Sequence, residues 1–184
     1  MVPRMKTLYF VRHGLSEHNK AKKWSGSSDS PLAEEGHEQA KEAGQTLKEL
    51  GFNFDVIISS PLERAHVTAK HIANELDIPH SEIILTEKIV ERSFGIMDGK
   101  KDFLAATKYI VDESAIDNYD GVEKLADLQK RADEFLQYLH SLPHDTILVV
   151  GHGAFARALK RSTNEDPLTV RGKGIKNAEI VRLI

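Results

Sequence analysis

TLYFVRHG, residues 7–14, decides the fold. Thr7 to Val11 is β-branched, aromatic and aliphatic, which predicts a buried strand, and the chain then changes abruptly to Arg12, His13 and Gly14. A cation and an imidazole therefore stand where a strand ends, and in open α/β sheets ligands bind at that edge. Gly14 is expected to let the backbone turn sharply and a ligand approach it closely. This placement fits an Arg12 that grips a phosphoryl group and a His13 that attacks it. It also fits the first solvated residues after a strand, so the remaining chain has to decide.

Working outward, Leu15 to Pro31 is polar and irregular, with Ser16, Asn19, Ser25, Gly26, Ser28, Asp29 and Ser30. Such a run either wraps a ligand with hydroxyls and backbone N–H groups or is a plain surface loop. Trp24, the one tryptophan, is expected to pin it to the body. Ala40, Ala43, Leu47 and Leu50 repeat at helical spacing and predict a helix over Ala33 to Leu50. His37 on that helix reads as a surface residue without a partner. FDVIIS, residues 54–59, predicts a second strand ending in Ser59 and Ser60, so the first two strands and the helix between them form a βαβ unit. Leu62 to Leu76 is the next helix, with Arg64 in its first turn. The helix dipole disfavours a cation there, so a nearby anion is expected.

Ile83 to Leu85 reads as a short strand and 87–99 as a loop carrying Glu91, Arg92 and Phe94. Asp102 to Tyr109 and Lys124 to Leu142 read as helices. TILVV, residues 146–150, is a further strand, ending in Gly151, His152 and Gly153. The helix expected after it, Ala154 to Arg161, would turn its first N–H groups toward an anion. Asn177 to Leu183 alternates and suits an edge strand.

Composition bounds the function. The chain has 184 residues, 40% hydrophobic and 29% charged, which fits one domain over 1–184 with a sizeable core. A net charge of −3 provides no global field to recruit nucleic acid or an anionic membrane, so any anion site is local. With no cysteine there are no disulfides, thiolate metal sites or thiol nucleophile. The apolar run near the N-terminus is too short for a signal peptide or a membrane span, and a cytoplasmic location is expected.

Arg12, His13, Arg64 and His152 thus all fall at one sheet edge, which independent surface accidents would not do. The pattern resembles the histidine phosphatase superfamily, the phosphoglycerate mutase-like proteins, in the branch with the Arg-His-Gly signature. The motifs that carry the resemblance are VRHG at 11–14, Asn19, SGSSDSPL at 25–32, GHEQA at 36–40, SSPLERAHVTA at 59–69, Glu91 with FG at 94–95, and VVGHG at 149–153. The resemblance implies a three-layer α/β/α sandwich around a mostly parallel sheet. It also implies that His13 is the covalent nucleophile, with Glu91 as proton donor and later as the base that activates water. Arg12 and Arg64 would hold the phosphoryl oxygens, and His152, if protonated, would donate a further charge-assisted bond. Asn19, Ser25, Gly26 and Gly153 would complete the pocket. Neither metal nor cofactor is expected, since two arginines and a histidine supply the countercharge. The tautomer of His13 is expected to be fixed by a carbonyl at its other nitrogen.

Departures from the family narrow the activity. Glycolytic mutases of this family carry an insertion after the Glu91 region with an adjacent arginine pair for the substrate carboxylate. Residues 101–120, KDFLAATKYIVDESAIDNYD, are short and net acidic and contain no such pair. Phe94 stands where those mutases usually have tyrosine, and Leu15 where the family often has glutamine or an acidic residue. A mutase must also keep its phosphoenzyme from water, which asks for a more enclosed and basic site. The expected activity is therefore hydrolysis of a phosphomonoester, on a small phosphorylated metabolite or phosphopeptide. Mutase transfer and non-catalytic phospho-ligand binding are the alternatives. Lys100, Lys101, Arg92 and Phe94 are candidates for the outer pocket.

Overall fold

Successive side chains of each central strand face two different cores, and this alternation builds the layers. A computed structural model describes residues 6–163 and 174–184. Strands β1 (Thr7–Arg12), β2 (Val56–Ser59), β3 (Ile83–Leu85) and β4 (Thr146–Gly151) are mutually parallel. β5 (Ile180–Arg182) joins antiparallel at the edge, giving the order β3-β2-β4-β1-β5. The predicted edge strand is thus present, shorter than Asn177 to Leu183.

Leu8, Phe10, Ile58, Ile147 and Val149 face one core, and Val11, Ile57, Leu148 and Val150 face the other. Helices α2 (Glu34–Glu49) and α3 (Glu63–Glu75) close the second core with Ala43, Leu47, Ala69 and Ile72. Helices α5 (Leu125–Ser141) and α6 (Gly153–Ser162) close the first with Leu128, Phe135, Phe155 and Leu159. The result is the expected three-layer sandwich around a mostly parallel sheet.

Two short helices complete the set. Helix α1 (Glu17–Lys20) lies inside the stretch predicted to be irregular. It is capped by Ser16, whose hydroxyl accepts from the Asn19 N–H. Helix α4 (Phe103–Val111) begins at Asp102, whose carboxylate accepts from the Ala105 N–H, and runs past the predicted end at Tyr109. No helix among the described residues is long and apolar enough to cross a membrane.

Strand register sets the site. Arg12 pairs with Gly151 and Ser59 with Val150. The ladder continues one residue further, with His13 N–H donating to Gly151 O (2.9 Å) and Ser60 N–H to Val150 O (3.1 Å). His13, Ser60 and His152 therefore emerge together at one edge. Gly14 makes no positive-φ turn there. Its bareness serves α2 instead, because a Cβ on Gly14 would lie 2.3 Å from the Gly36 carbonyl oxygen. His37 also departs from expectation: across the α2–α3 contact its Nδ1 is 2.9 Å from His71 Nε2.

Candidate active site

His13 is buried, and its Nδ1 lies 2.7 Å from the Gly14 carbonyl. A carbonyl only accepts, so Nδ1 carries the proton and Nε2 keeps its lone pair. Burial foremost, then the charges of Arg12 and Arg64, hold this imidazole well below its ordinary value of 6.5, so the ring is neutral. Its backbone is fixed by two elements. Asn177 Nδ2 donates to His13 O (3.0 Å), and Gly14 N–H donates to Thr68 Oγ1 (3.0 Å), whose hydroxyl donates to Arg64 O (2.7 Å).

Arg12 donates from Nη1 to Ile175 O (2.8 Å), so the C-terminal segment aims its guanidinium. Gly153 leaves room for it: a Cβ there would lie 3.4 Å from Arg12 Nε. Arg64 is completely buried and donates to Ser28 O (2.9 Å) and Gly26 O (2.6 Å). The anion expected beside it is supplied by the chain itself, because Asp29 accepts the Glu63 N–H at the start of α3 (3.0 and 3.2 Å). Burial lowers both guanidinium pKa values, opposed first by Glu91 in each case.

The His152 ring centroid is 5.2 Å from that of His13. Its Nε2 is 2.8 Å from Ser60 Oγ, which already accepts the Leu62 N–H (3.3 Å) and donates to no other described group. Assigning the otherwise unused Ser60 O–H as donor to Nε2 puts the His152 proton on Nδ1. Burial first, then Arg64, His13 and Arg12, press this ring well below its ordinary range. This pressure favours the neutral ring, which donates through Nδ1–H.

Glu91 sits where the loop after β3 meets α6. Its Oε1 accepts the N–H groups of Arg92 (2.9 Å), Ala154 (3.1 Å) and Phe155 (3.1 Å), and among the described residues Oε2 accepts only from Ala154 (3.0 Å). The first amides of α6, expected to face a bound anion, are thus occupied by a carboxylate of the chain. Oε2 has the acceptor capacity left for proton transfer.

Arg12, Asn19, Ser25, Glu91 and Gly153 line one cavity of about 270 Å³. Asn19 Oδ1, Ser25 Oγ, Arg12 Nε, Arg64 Nε and His152 Nδ1 are buried and have no hydrogen-bond partner among the described residues. Buried polar atoms are normally paired, and these five, of eight such atoms among the described residues, belong to residues expected to bind phosphate, which suits a polar ligand. Gly26 stands behind the cavity: its N–H donates to Asp98 Oδ1 (2.8 Å) and its carbonyl receives Arg64. Among the described residues no group of His, Asp and Glu is placed to hold a metal ion. What is assembled can clasp a tetrahedral oxyanion and present an imidazole nitrogen to its central atom.

The outer cavity differs from expectation. Phe94 lines it, whereas Lys100, Lys101 and Arg92 do not. Arg92 is completely buried and ties Glu113 O (2.7 Å), Glu123 O (2.8 Å) and the Asp117 carboxylate to the Glu91 loop. The lining includes Lys22, Phe103, Tyr109 and Arg157, none of which sequence reading singled out. A lone arginine within AFARAL, residues 154–159, was the available signal for Arg157.

Comparisons with known proteins bear on the family and the fold. The family model described as "Histidine phosphatase superfamily (branch 1)" matches residues 8–184. A 2,3-bisphosphoglycerate-dependent phosphoglycerate mutase of Brucella canis is 39% identical over 165 residues, covering 84% of this chain and 79% of that protein. The structure of an Entamoeba histolytica phosphoserine phosphatase variant in complex with phosphoserine is similar with a TM-score of 0.77 at 28% identity, covering 97% of this chain and 90% of that one. A Bacillus anthracis phosphoglycerate mutase shares the fold, with a TM-score of 0.82 at 23% identity, over 98% of this chain and 88% of that one. With the model spanning almost every residue from β1 onward, the chain is an enzyme of the histidine phosphatase superfamily, branch 1.

Proposed function

We propose that the protein hydrolyses a phosphomonoester of a small metabolite through a phosphohistidine on His13. The observation that carries this reading is the Gly14 lock on Nδ1 (2.7 Å), which leaves Nε2 with its lone pair, on a ring 5.2 Å from that of His152 and under the charges of Arg12 and Arg64. Nε2 attacks phosphorus in line while the ester P–O bond breaks, and Glu91, which enters this step as the neutral acid, gives its proton to the departing alkoxide and is left as the carboxylate. Glu91 then takes a proton from water, which cleaves the P–N bond and releases inorganic phosphate. Arg12, Arg64 and His152 bear the equatorial charge. Asn19 and Ser25 contact the oxygens, Gly153 admits Arg12, and Gly26 holds Arg64 in place.

Mutase transfer is the second reading, favoured by the Brucella canis relative's name. Hydrolysis is preferred because the outer cavity presents no adjacent arginine pair to a phosphoglycerate carboxylate: Arg157 there is tied to Tyr109 Oη and to Glu113, a carboxylate it shares with Arg161. The test is rapid quench of the protein with a ³²P-labelled aryl phosphate. Acid-labile protein-bound label and steady phosphate release are expected, and both should fall by about a thousandfold or more in His13→Ala. Interconversion of 2- and 3-phosphoglycerate far faster than phosphate release would decide for the mutase.

A further inference from the structure

The cavity continues outward from Arg12, Glu91 and Gly153 into walls of a different chemistry. Trp24 and Phe94, with ring centroids 4.6 Å apart, back its outer part, and Tyr109 lies 5.5 Å from both. Helix α4 supplies the opposite wall through Phe103, Ala106 and Ile110. Phe103 and Ile110 are 67% and 78% exposed, so large apolar side chains stand in water at the mouth of the cavity. A leaving group on a phosphoryl held by Arg12, which lines the same cavity, has this space to occupy.

The polar groups of the outer part are already engaged or solvated. Arg157 donates to Tyr109 Oη (2.6 Å), is paired with Glu113, and stacks over the Tyr109 ring at 5.6 Å. Lys22 and Lys23 are exposed at the rim, where water and salt weaken their pull on an anion. Hydroxyls of a small hydrophilic alcohol would exchange water for aromatic faces. An apolar body would instead remove Phe103 and Ile110 from water together with itself.

We infer that this outer cavity is a leaving-group subsite for phosphomonoesters of alcohols with an apolar, preferentially aromatic, body. The inference rests on the phosphatase reading and goes beyond it by naming the substrate class. The test compares kcat/KM for 3-phenylpropyl phosphate and propyl phosphate, whose alkoxides are of similar basicity, so that chemistry cancels and the ring remains. A preference for the phenyl ester of roughly 10- to 100-fold is expected, the range set by burying one aromatic ring. In Phe103→Ala and Ile110→Ala, exposed positions whose truncation spares the core, that ratio should fall at least about threefold, chiefly through KM. Phosphate released equally from both esters, or faster from propyl or glycerol phosphate, overturns the apolar subsite and leaves the phosphatase reading standing. Release from neither overturns the phosphatase reading. In that event the ratio of calorimetric Kd values for the same two esters, measured on His13→Ala, decides the subsite by the same criterion.

Discussion

A buried imidazole is useful to chemistry only when its two nitrogens are told apart. In His13 the Gly14 carbonyl does this directly, and in His152 the task falls to Ser60, a hydroxyl 2.8 Å from Nε2. Removing that hydroxyl leaves His152 free to place its proton on either nitrogen, and only the Nδ1–H form donates into the phosphoryl site. Ser60→Ala should therefore lower kcat for phosphate release by roughly tenfold with a smaller change in KM. One lost hydrogen bond costs only about 1 kcal/mol of stability, so the variant remains folded by urea titration. Unchanged kcat in a folded Ser60→Ala would remove Ser60 from the proposed site.

Between elements, contacts depend on how close two backbones come, and one very close approach lies between the loop after β1 and the start of α2. A Cβ on Gly36 would stand 2.1 Å from the Leu15 carbonyl oxygen, and neither backbone can yield without moving α2 or the loop that follows His13. Gly36→Ala should destabilise the protein by about 2–4 kcal/mol and depress turnover with it. Gly51→Ala is the control, with φ 73° and nothing within 4 Å of its Cβ, and should cost only about 1 kcal/mol from backbone strain. Equal urea midpoints for the two variants would contradict the close-approach account. The strands and long helices were legible because their apolar residues repeat at two or at three to four residues, and the site edge followed from which residues end each strand. Helix α1 was not, since four polar residues carry no period. The Asp29 cap of α3, the grip of the α6 amides on Glu91, the His37–His71 pair and the burial of Arg92 all join segments far apart in sequence. They depend on the relative rotation and depth of elements, which periodicity does not encode. Legible and illegible parts meet at Arg64: its position at the sheet edge is written in SSPLER, while its carbonyl partners at Ser28 and Gly26 are not.

For the whole molecule, the sheet edge concentrates two guanidiniums and two imidazoles in a buried space between the helical layers. Burial and the charges of Arg12 and Arg64 hold both His13 and His152 well below 6.5 in the folded protein. The unfolded chain takes up protons on these residues near pH 6.5, whereas the folded protein does so only far lower. In that interval the unfolded state binds more protons, so stability rises with pH there and is lost as pH falls below about 6.5. Above 6.5 both histidines are neutral in both states and contribute no slope. The free energy of urea unfolding should therefore decline from pH 7.5 to pH 5.5, and His152→Asn should remove about half of the decline due to this pair. Inorganic phosphate, an anion able to accept from both guanidiniums, favours the protonated rings and should alter the profile. Because the slope arises from cations crowded where an anion belongs, a profile that neither His152→Asn nor phosphate alters would mean that these four groups do not share one field.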